Sequence, residues 1–328
     1  MLHAVITMDL LSRLLFNKTM KFKYLLLTPL LITSLFSCNR GNINIEECLA
    51  ITALEDNSYV IASSYGEFSE DVLPNIQFSK GDNNWQDVTI NDERAPTPTP
   101  IAILNKNETI YLKGNNPEGF SKAENKYVHF SVVDSTLELG LKYEASGDVM
   151  SLIDNGSCTA YQIPCDYCFT QLFAGTDYYP ESKIVSAPKL PALNLTAGCY
   201  SYMFFDCEYL VYPPSLPSYD IKEKCYSHMF MQCTSLKYAP LLLSSQTGPY
   251  CYDHMFYGNS SLSSIVINIK DWDREGDFPC CFWVSFDGRY PMSQKGTFYC
   301  PKELVPDPTD PEIHSETRIP YHWDVITY

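Results

Sequence analysis

The N-terminal half of the chain alternates short apolar runs with polar turn clusters. From about residue 51 to residue 145 these runs are rich in β-branched and aromatic residues. Such runs predict β-strands, and many short strands close together are typical of a small β-sandwich. The predicted strands are 59–63, 76–80, 85–90, 109–113, 127–133 and 137–143.

Beyond residue 146 the apolar positions follow a longer period. The segments CYSYMF, CYSHMF and CYDHMF begin at Cys199, Cys225 and Cys251, each 26 residues after the last. A period of this length built on Leu, Cys and Phe predicts a leucine-rich-repeat-type solenoid. Its core is expected at the following positions: Cys199, Met203, Phe204, Cys207, Cys225, Met229, Phe230, Cys233, Cys251, Met255 and Phe256.

Each coil is expected to join a compact Cys-Tyr-x-x-Met-Phe turn to an extended segment. An earlier turn, CFTQLF from Cys168, precedes Cys199 by 31 residues, which places a five-residue insertion around residues 175–182. Insertions of this kind map to loops on one face of a solenoid. The predicted extended segments are 184–187, 210–213, 236–239 and 262–267.

These patterns predict a mixed β or α+β fold in three parts. Residues 51–145 form the β-sandwich, residues 146–269 form the short solenoid, and residues 270–328 form a C-terminal cap. The cap is expected because a repeat array needs an atypical end to shield its last coil.

The first 37 residues read as a secretory signal. Lys21 and Lys23 precede an apolar run that is too short to span a bilayer, and the run ends in Leu-Phe-Ser-Cys. This ending resembles a bacterial lipobox, in which the cysteine, here Cys38, is lipidated and becomes the mature N-terminus. Residues 1–37 are therefore predicted to be removed, with Met20 as the true start, and residues 38–50 to form a lipidated tether.

The chain is acidic, with a formal charge of −16. Removing residues 1–37 deletes four basic residues and one acidic residue, so the mature chain would carry −19. Such a charge disfavours nucleic acid and anionic headgroups as partners, because phosphate groups require a cationic face. We expect no nucleic-acid partner, a lipid anchor in the membrane, and a monomer.

Thirteen cysteines offer the first candidate chemistry. Those that recur with the repeat are interpreted as small buried hydrophobes. Any disulfide is expected among the cysteines outside the register, with a connectivity that the sequence does not give: Cys48, Cys158, Cys165, Cys168, Cys280, Cys281 and Cys300. The Cys165/Cys168 pair with Cys280, Cys281 and Cys300 is a weak zinc pattern, since adjacent cysteines make a poor zinc knuckle.

Catalytic patterns are weak. Cys225/His228 and Cys251/His254 are three residues apart, a spacing that a thiolate–imidazole pair could use. Both pairs recur with the coil, whereas catalysis needs one asymmetric constellation, so the histidines are interpreted as polar residues of the coil surface. The usual phosphate-binding, zincin and hydrolase motifs do not occur. No catalytic residue, metal ligand or cofactor is predicted.

One repeat position suggests a binding face. Tyr212 and Tyr238 occupy the same position in consecutive coils, and Ser186 and Ser264 occupy it on either side. We expect this position to point outward where the leucine points inward, because side chains alternate along a strand. Tyrosine brings a large contact area at low entropy cost, although an exposed tyrosine also suits a strand without any ligand.

Residues 225–240 read CYSHMFMQCTSLKYAP, and the segment from Ile51 reads ITALEDNSYV. The first matches the coil CYxxMFxxCxSLxxAP, and the second is similar to the N-terminal module, of the BspA-like leucine-rich-repeat surface lipoproteins of Gram-negative bacteria, which the chain resembles. Asn259 departs from the coil by replacing its second cysteine. The resemblance covers nearly the whole mature chain and implies surface interaction or adhesion, generally without enzymatic activity.

The predicted function is therefore that of a non-catalytic interaction or adhesion module on a cell-envelope lipoprotein. We expect it in the outer membrane, on either the periplasmic or the outer face, with a protein or glycan ligand. A carbohydrate-binding accessory lipoprotein is the alternative, and an envelope hydrolase is the least favoured class.

Overall fold

A computed structural model describes residues 43–66, 73–93, 95, 97–175, 181–245, 247–270, 292–309, 319–320 and 322–328. These residues form mixed β-sheets with two short 3-10 helices, Ile45–Glu47 and Val149–Leu152. None of the helices in these ranges is long and apolar enough to cross a bilayer. The strands are β1 Leu49–Ala53, β2 Ser58–Tyr65, β3 Gln77–Ser79, β4 Gln86–Asp87, β5 Asn91–Asp92, β6 Ala102–Leu104, β7 Thr109–Lys113, β8 Tyr127–Val133, β9 Tyr143–Ser146, β10 Ile184–Ser186, β11 Ser264–Val266, β12 Thr297–Cys300 and β13 Asp324–Thr327.

Two sheets occupy the N-terminal half. The larger has the order β10-β9-β1-β7-β3-β4, and its pairs are antiparallel except that β10 runs parallel to β9. In the smaller sheet β2 pairs with β8 along one edge and with β5 and β6 along the other. The parallel partner β10 belongs to the first repeat coil, so the sheet extends past residue 146 into the repeat.

Two differences between the predicted and the observed strands have a physical reason. The predicted strand 137–143 is wrong, because β9 begins only at Tyr143. The residues before it form a turn in which the Asp134 carboxylate accepts hydrogen bonds from the Thr136 hydroxyl and the Leu139 N–H. Strand β1 was not predicted; it lies between two neighbours and is largely buried on both faces, so it lacks the alternation that marks a half-exposed strand.

The Cys-Tyr-x-x-Met-Phe turns lie directly on one another. We name residues 167–175, 198–206, 224–232 and 250–258 the turn stack. Alternate N–H groups donate to carbonyls of the next coil, as Tyr200 does to Cys225 at 3.0 Å, and the others close turns within the coil, as Ser201 does to Gly198 at 3.0 Å. Every fourth residue except Gly175 has a positive φ: Tyr167, Gln171, Gly198, Tyr202, Asp206, Lys224, His228, Gln232, Tyr250, His254 and Gly258.

Two columns of aromatic rings fill the inside of the turn stack. One contains Phe173, Phe204, Phe230 and Phe256, with successive centroids 5.7, 5.6 and 6.1 Å apart. The other contains Phe169, Tyr200, Tyr226 and Tyr252 at 6.0–6.1 Å. All eleven predicted core positions, from Cys199 to Phe256, are fully buried.

The extended segments are less regular than predicted. Segments 184–187 and 262–267 contain β10 and β11, but 210–213 and 236–239 form no strand. Pro213, Pro214 and Pro240 lie in or beside these two segments. Proline has no N–H to donate, so a continuous ladder cannot form there.

The β-region and the turn stack share one hydrophobic core. Residues 43–328 form a single compact unit. The ring of Phe130 in β8 lies 6.2 Å from Phe173, and Phe120 lies 6.1 Å from Phe169, so both aromatic columns continue into the β-region. The backbone adds a direct link, since the Lys189 N–H donates to the Gly147 carbonyl at 2.7 Å.

The C-terminal residues extend strand β11 into a small parallel sheet. Strand β12 pairs with β11 and with β13. Trp323 is buried, and its indole N–H donates to the Ser293 carbonyl at 2.8 Å. The predicted cap also includes Trp272, Trp283, Cys280 and Cys281, which lie outside the described residues.

Replacing Asn259 by cysteine is expected to stabilise the protein. Asn259 stands where Cys233 stands one coil earlier, and the Cys233 thiol donates to the Phe204 carbonyl at 3.0 Å. The Asn259 side-chain amide is buried and makes no hydrogen bond among the described residues. A buried polar group without a partner costs about 1–3 kcal/mol, so urea unfolding under reducing conditions should show a gain of about 1 kcal/mol or more for Asn259→Cys.

The reverse change supplies the control for this prediction. Cys233→Asn places the same amide one coil earlier and is expected to lower the free energy of unfolding by a similar amount. A loss of stability in Asn259→Cys would show that the amide is satisfied in solution and would contradict the prediction.

Candidate binding surfaces

The two tyrosines of the predicted face are exposed. Tyr212 is 56% exposed and Tyr238 is 45% exposed, while the leucines that precede them, Leu210 and Leu236, are fully buried. The Lys237 N–H donates to the Val211 carbonyl at 3.3 Å, which fixes the register of the two segments. Backbones joined in this way lie about 4.8 Å apart, so the two phenol side chains start from neighbouring coils.

The serines at the same repeat position are less exposed than the tyrosines. Ser264 lies in β11, is half-buried, and continues the tyrosine row, since the Ala239 N–H donates to its carbonyl at 3.1 Å. Ser186 lies in β10, and its hydroxyl donates to the Ala145 carbonyl at 3.2 Å. The predicted face is therefore an exposed tyrosine pair flanked by two half-buried serines.

The reason predicted for this exposure is wrong. Residues two apart share a face in a strand, so strict alternation would bury Tyr212 together with Leu210. The chain instead bends at Tyr212 and again at Tyr238. The bend turns the tyrosine away from the core that holds the leucine.

A second exposed row was not predicted. It contains Tyr161, Leu193 and Tyr219, which are 45%, 47% and 67% exposed. The Leu193 N–H donates to the Tyr161 carbonyl at 2.8 Å, and the Ser218 hydroxyl donates to the Leu193 carbonyl at 2.7 Å. The spacing of 26 between Leu193 and Tyr219 is a signal for this row, but the residue types differ and Tyr161 lies outside the period.

A third row of rings lies on the outer side of the turn stack. Tyr202, His228 and His254 stack with centroids 4.4 and 4.9 Å apart. His228 Nδ1 lies 2.7 Å from the Ser227 hydroxyl, and His254 Nδ1 lies 2.8 Å from an Asp253 carboxylate oxygen. Burial lowers the pKa of His228 to about 4, with a smaller opposing effect of Asp253, so this imidazole is neutral near pH 7.

The same geometry separates the histidines from the repeat cysteines. Cys225 and Cys251 are fully buried, and His228 and His254 are half-buried. Burial also raises the pKa of the Cys225 thiol well above its ordinary value. A buried, protonated thiol is a poor nucleophile, which counts against a Cys–His catalytic pair.

Four of the cysteines outside the register form two close pairs. None of the ten cysteines that the structure describes forms a disulfide. Hydrogen bonding to Cys158 lowers the pKa of Cys48, and hydrogen bonding to Cys168 lowers the pKa of Cys165. Cys38, like Cys280 and Cys281, lies outside the described residues.

The structure brings one set of possible metal ligands together. One ligand atom from each of His228, Asp253 and His254 lies within 4.8 Å of those of the other two. In the part of the chain that the structure describes, this is the only group of three or more such side chains. Cys165, Cys168 and Cys300, which the zinc pattern would have combined, do not form a group of this kind.

Comparison of the chain with protein-family models, with curated proteins and with solved structures finds no match. The functional argument therefore depends on the geometry of these surfaces.

Proposed function

We propose that the protein is a lipid-anchored, non-catalytic interaction module of the bacterial cell envelope. In this proposal Cys38 carries the lipid, residues 51–145 are a β-sandwich module, and the turn stack belongs to a short leucine-rich-repeat-type solenoid like that of the BspA-like proteins. The repeat surface then presents the binding face to a protein or glycan in the outer membrane environment.

The exposed pair Tyr212 and Tyr238 is the observation that carries the proposal. Two large aromatic side chains face solvent from consecutive coils, although each follows a fully buried leucine. The Leu210 and Leu236 N–H groups donate to the Cys207 and Cys233 carbonyls, at 3.1 and 3.0 Å, so the segments are fixed to the residues that follow the closely packed turns. Rigid aromatic side chains that lose little entropy on binding are favoured at recognition surfaces.

A glycan is the second candidate ligand. Aromatic faces can stack on sugar rings, and the second row, with Tyr161 and Tyr219, provides further exposed phenol rings. The acidic charge of the chain also disfavours polyanionic ligands such as nucleic acid. An envelope hydrolase, with its site in the β-module or the cap, is the least favoured class.

The double variant Tyr212→Ser/Tyr238→Ser tests the proposal. The full-length protein in mild detergent is applied to a glycan array and to an array of extracellular proteins, and the affinity for each hit is then measured by biolayer interferometry. We expect the double variant to bind at least about ten-fold more weakly, because buried aromatic anchors contribute most of the affinity of an interface.

The matched control is Tyr161→Ser/Tyr219→Ser, which removes two exposed rings from the other row. Both double variants should unfold at nearly the wild-type temperature, since exposed side chains contribute little to stability. Unchanged affinity in Tyr212→Ser/Tyr238→Ser would remove the proposed face. A loss of affinity in the control alone would show that the second row, and not the tyrosine pair, binds the ligand.

A further inference from the structure

The outer row of the turn stack ends in a set of groups that the interaction function does not use. Tyr202, His228 and His254 occupy one position in three consecutive coils, and Ser201, Ser227 and Asp253 precede them. Only the last two coils carry imidazoles, and only the last carries a carboxylate. The two histidines and the aspartate thus come together at one end of a row that begins with a tyrosine.

We propose that His228, Asp253 and His254 form a binding site for a divalent transition-metal ion of the zinc type. Two imidazoles and one carboxylate are ligands that Zn²⁺ accepts, and three protein ligands leave a position for water or an external ligand. This proposal is independent of the tyrosine face and departs from the sequence analysis, which predicted no metal ligand.

The backbone holds the two histidines rigidly in register. The His228 N–H donates to the Asp253 carbonyl at 2.7 Å, and each histidine carbonyl accepts a turn hydrogen bond, from Met231 and from Tyr257, at 3.1 Å. Both histidines adopt a positive φ, 56° and 49°. Their side chains therefore leave adjacent coils from equivalent backbone conformations.

The ligand atoms lie somewhat farther apart than one bound ion requires. Ligand atoms bound to Zn²⁺ at about 2.0–2.2 Å lie roughly 3–3.5 Å apart in a tetrahedral site. The observed limit of 4.8 Å is longer, and the rings are stacked, so His254 must rotate about its side-chain bonds to point a nitrogen at the ion. The His254 side chain is 35% exposed, which leaves room for that rotation.

The neighbouring groups suit a cation. The Asp253 carboxylate lies 2.8 Å from His254 Nδ1, so it is within reach of an ion that His254 binds. The Ser227 hydroxyl lies 2.7 Å from His228 Nδ1 and orients that ring. The nearby Lys224 ammonium lies 3.4 Å from the Glu124 carboxylate, which offsets its charge.

Replacing the histidines by tyrosine separates metal binding from ring stacking. Tyr202 shows that the stack accepts tyrosine at this position, so His254→Tyr and His228→Tyr should fold and stack while removing an imidazole ligand. The full chain is stripped with a chelator and titrated with Zn²⁺ against a chromophoric indicator, and Co²⁺ spectra report the coordination. We expect one site in the wild type and a loss of at least about 100-fold in affinity in each variant, beyond what changing an outer-shell group costs.

Two controls keep the test decisive. His322→Tyr changes an exposed histidine outside the cluster and should leave the affinity unchanged, and Cys165→Ser tests whether the thiols hold the ion instead. Thermal unfolding measured without metal should be nearly the same for the wild type and the histidine variants. Binding that survives both histidine changes, or that is lost in Cys165→Ser alone, would overturn the proposal, as would no Zn²⁺ binding by the wild type at micromolar concentration.

Discussion

Replacing Phe204 by alanine is expected to lower the free energy of unfolding by about 3–5 kcal/mol. The ring is fully buried and lies 5.7 Å from Phe173 and 5.6 Å from Phe230. The Phe204 N–H also donates to the Met229 carbonyl at 3.0 Å, so the backbones of the two coils are held together. Because the coils cannot easily close over the gap, most of the cavity should remain, and equilibrium urea unfolding followed by circular dichroism measures its cost.

The neighbouring residue provides a matched control. Phe205 is half-buried and makes an edge contact with Tyr202 at 5.8 Å, outside the inner columns. Phe205→Ala removes the same atoms and should cost about 1 kcal/mol or less. Phe204→Leu, with an expected cost under about 1.5 kcal/mol, keeps the inner position measurable if the alanine variant is too unstable. Equal losses for the two alanine variants would contradict the importance of the column.

The column of rings that contains Phe204 also supports the segments that carry Tyr212 and Tyr238. A coil cannot bury its apolar side alone, so neighbouring coils are expected to fold together. Tyr212 and Tyr238 extend from segments whose leucines are buried in this core. Damage to the inner rings should therefore weaken ligand binding indirectly, whereas the double tyrosine variant should weaken it without a change in unfolding.

The inside of the repeat was predictable because equivalent positions of stacked coils must hold side chains of equal size. The period of 26 alone therefore located Met203, Phe204 and their counterparts, and the structure buries all of them. It did not reveal that Phe120 and Phe130 extend the same columns into the β-region, since these residues lie outside the period.

The 26-residue period did not predict which side chains of the repeat point outward. The positive φ of His228 and His254 places both side chains on the outer side. Nothing in the local sequence predicts this conformation for Tyr202 or His228, because it is stabilised by hydrogen bonds to the next coil. The bends at Tyr212 and Tyr238 escaped prediction for the same reason.

Replacing Gly147 by alanine is expected to lower the free energy of unfolding by about 2–5 kcal/mol. Among the proposed variants, only Phe204→Ala is expected to lower it as much or more. Gly147 has φ +72°, and a Cβ added there would lie 1.8 Å from the Cys48 carbonyl oxygen. A left-handed conformation costs a residue with a side chain about 1–2 kcal/mol, and forcing extra volume into a packed site costs about 1–3 kcal/mol more.

The location of Gly147 makes this clash consequential, because three segments meet there. The Gly147 carbonyl accepts the Lys189 N–H at 2.7 Å, and the next residue, Asp148, donates to the Glu47 carbonyl at 2.8 Å. A shift that relieves the clash must therefore loosen either the start of β1 or the link to the first coil. Hydrogen exchange of the Lys189 amide, measured together with urea unfolding, should show faster exchange in Gly147→Ala.

Gly81→Ala is the control that separates backbone conformation from close contact. Gly81 also has a positive φ, +101°, but an added Cβ would meet only the Tyr111 ring, at an ordinary 3.7 Å. The cost there should be limited to about 1–2 kcal/mol, with no change at Lys189. An equal loss of unfolding free energy in Gly147→Ala and Gly81→Ala would show that the backbone relieves the clash with Cys48 at no cost. The junction between the β-region and the repeat would then not depend on a glycine.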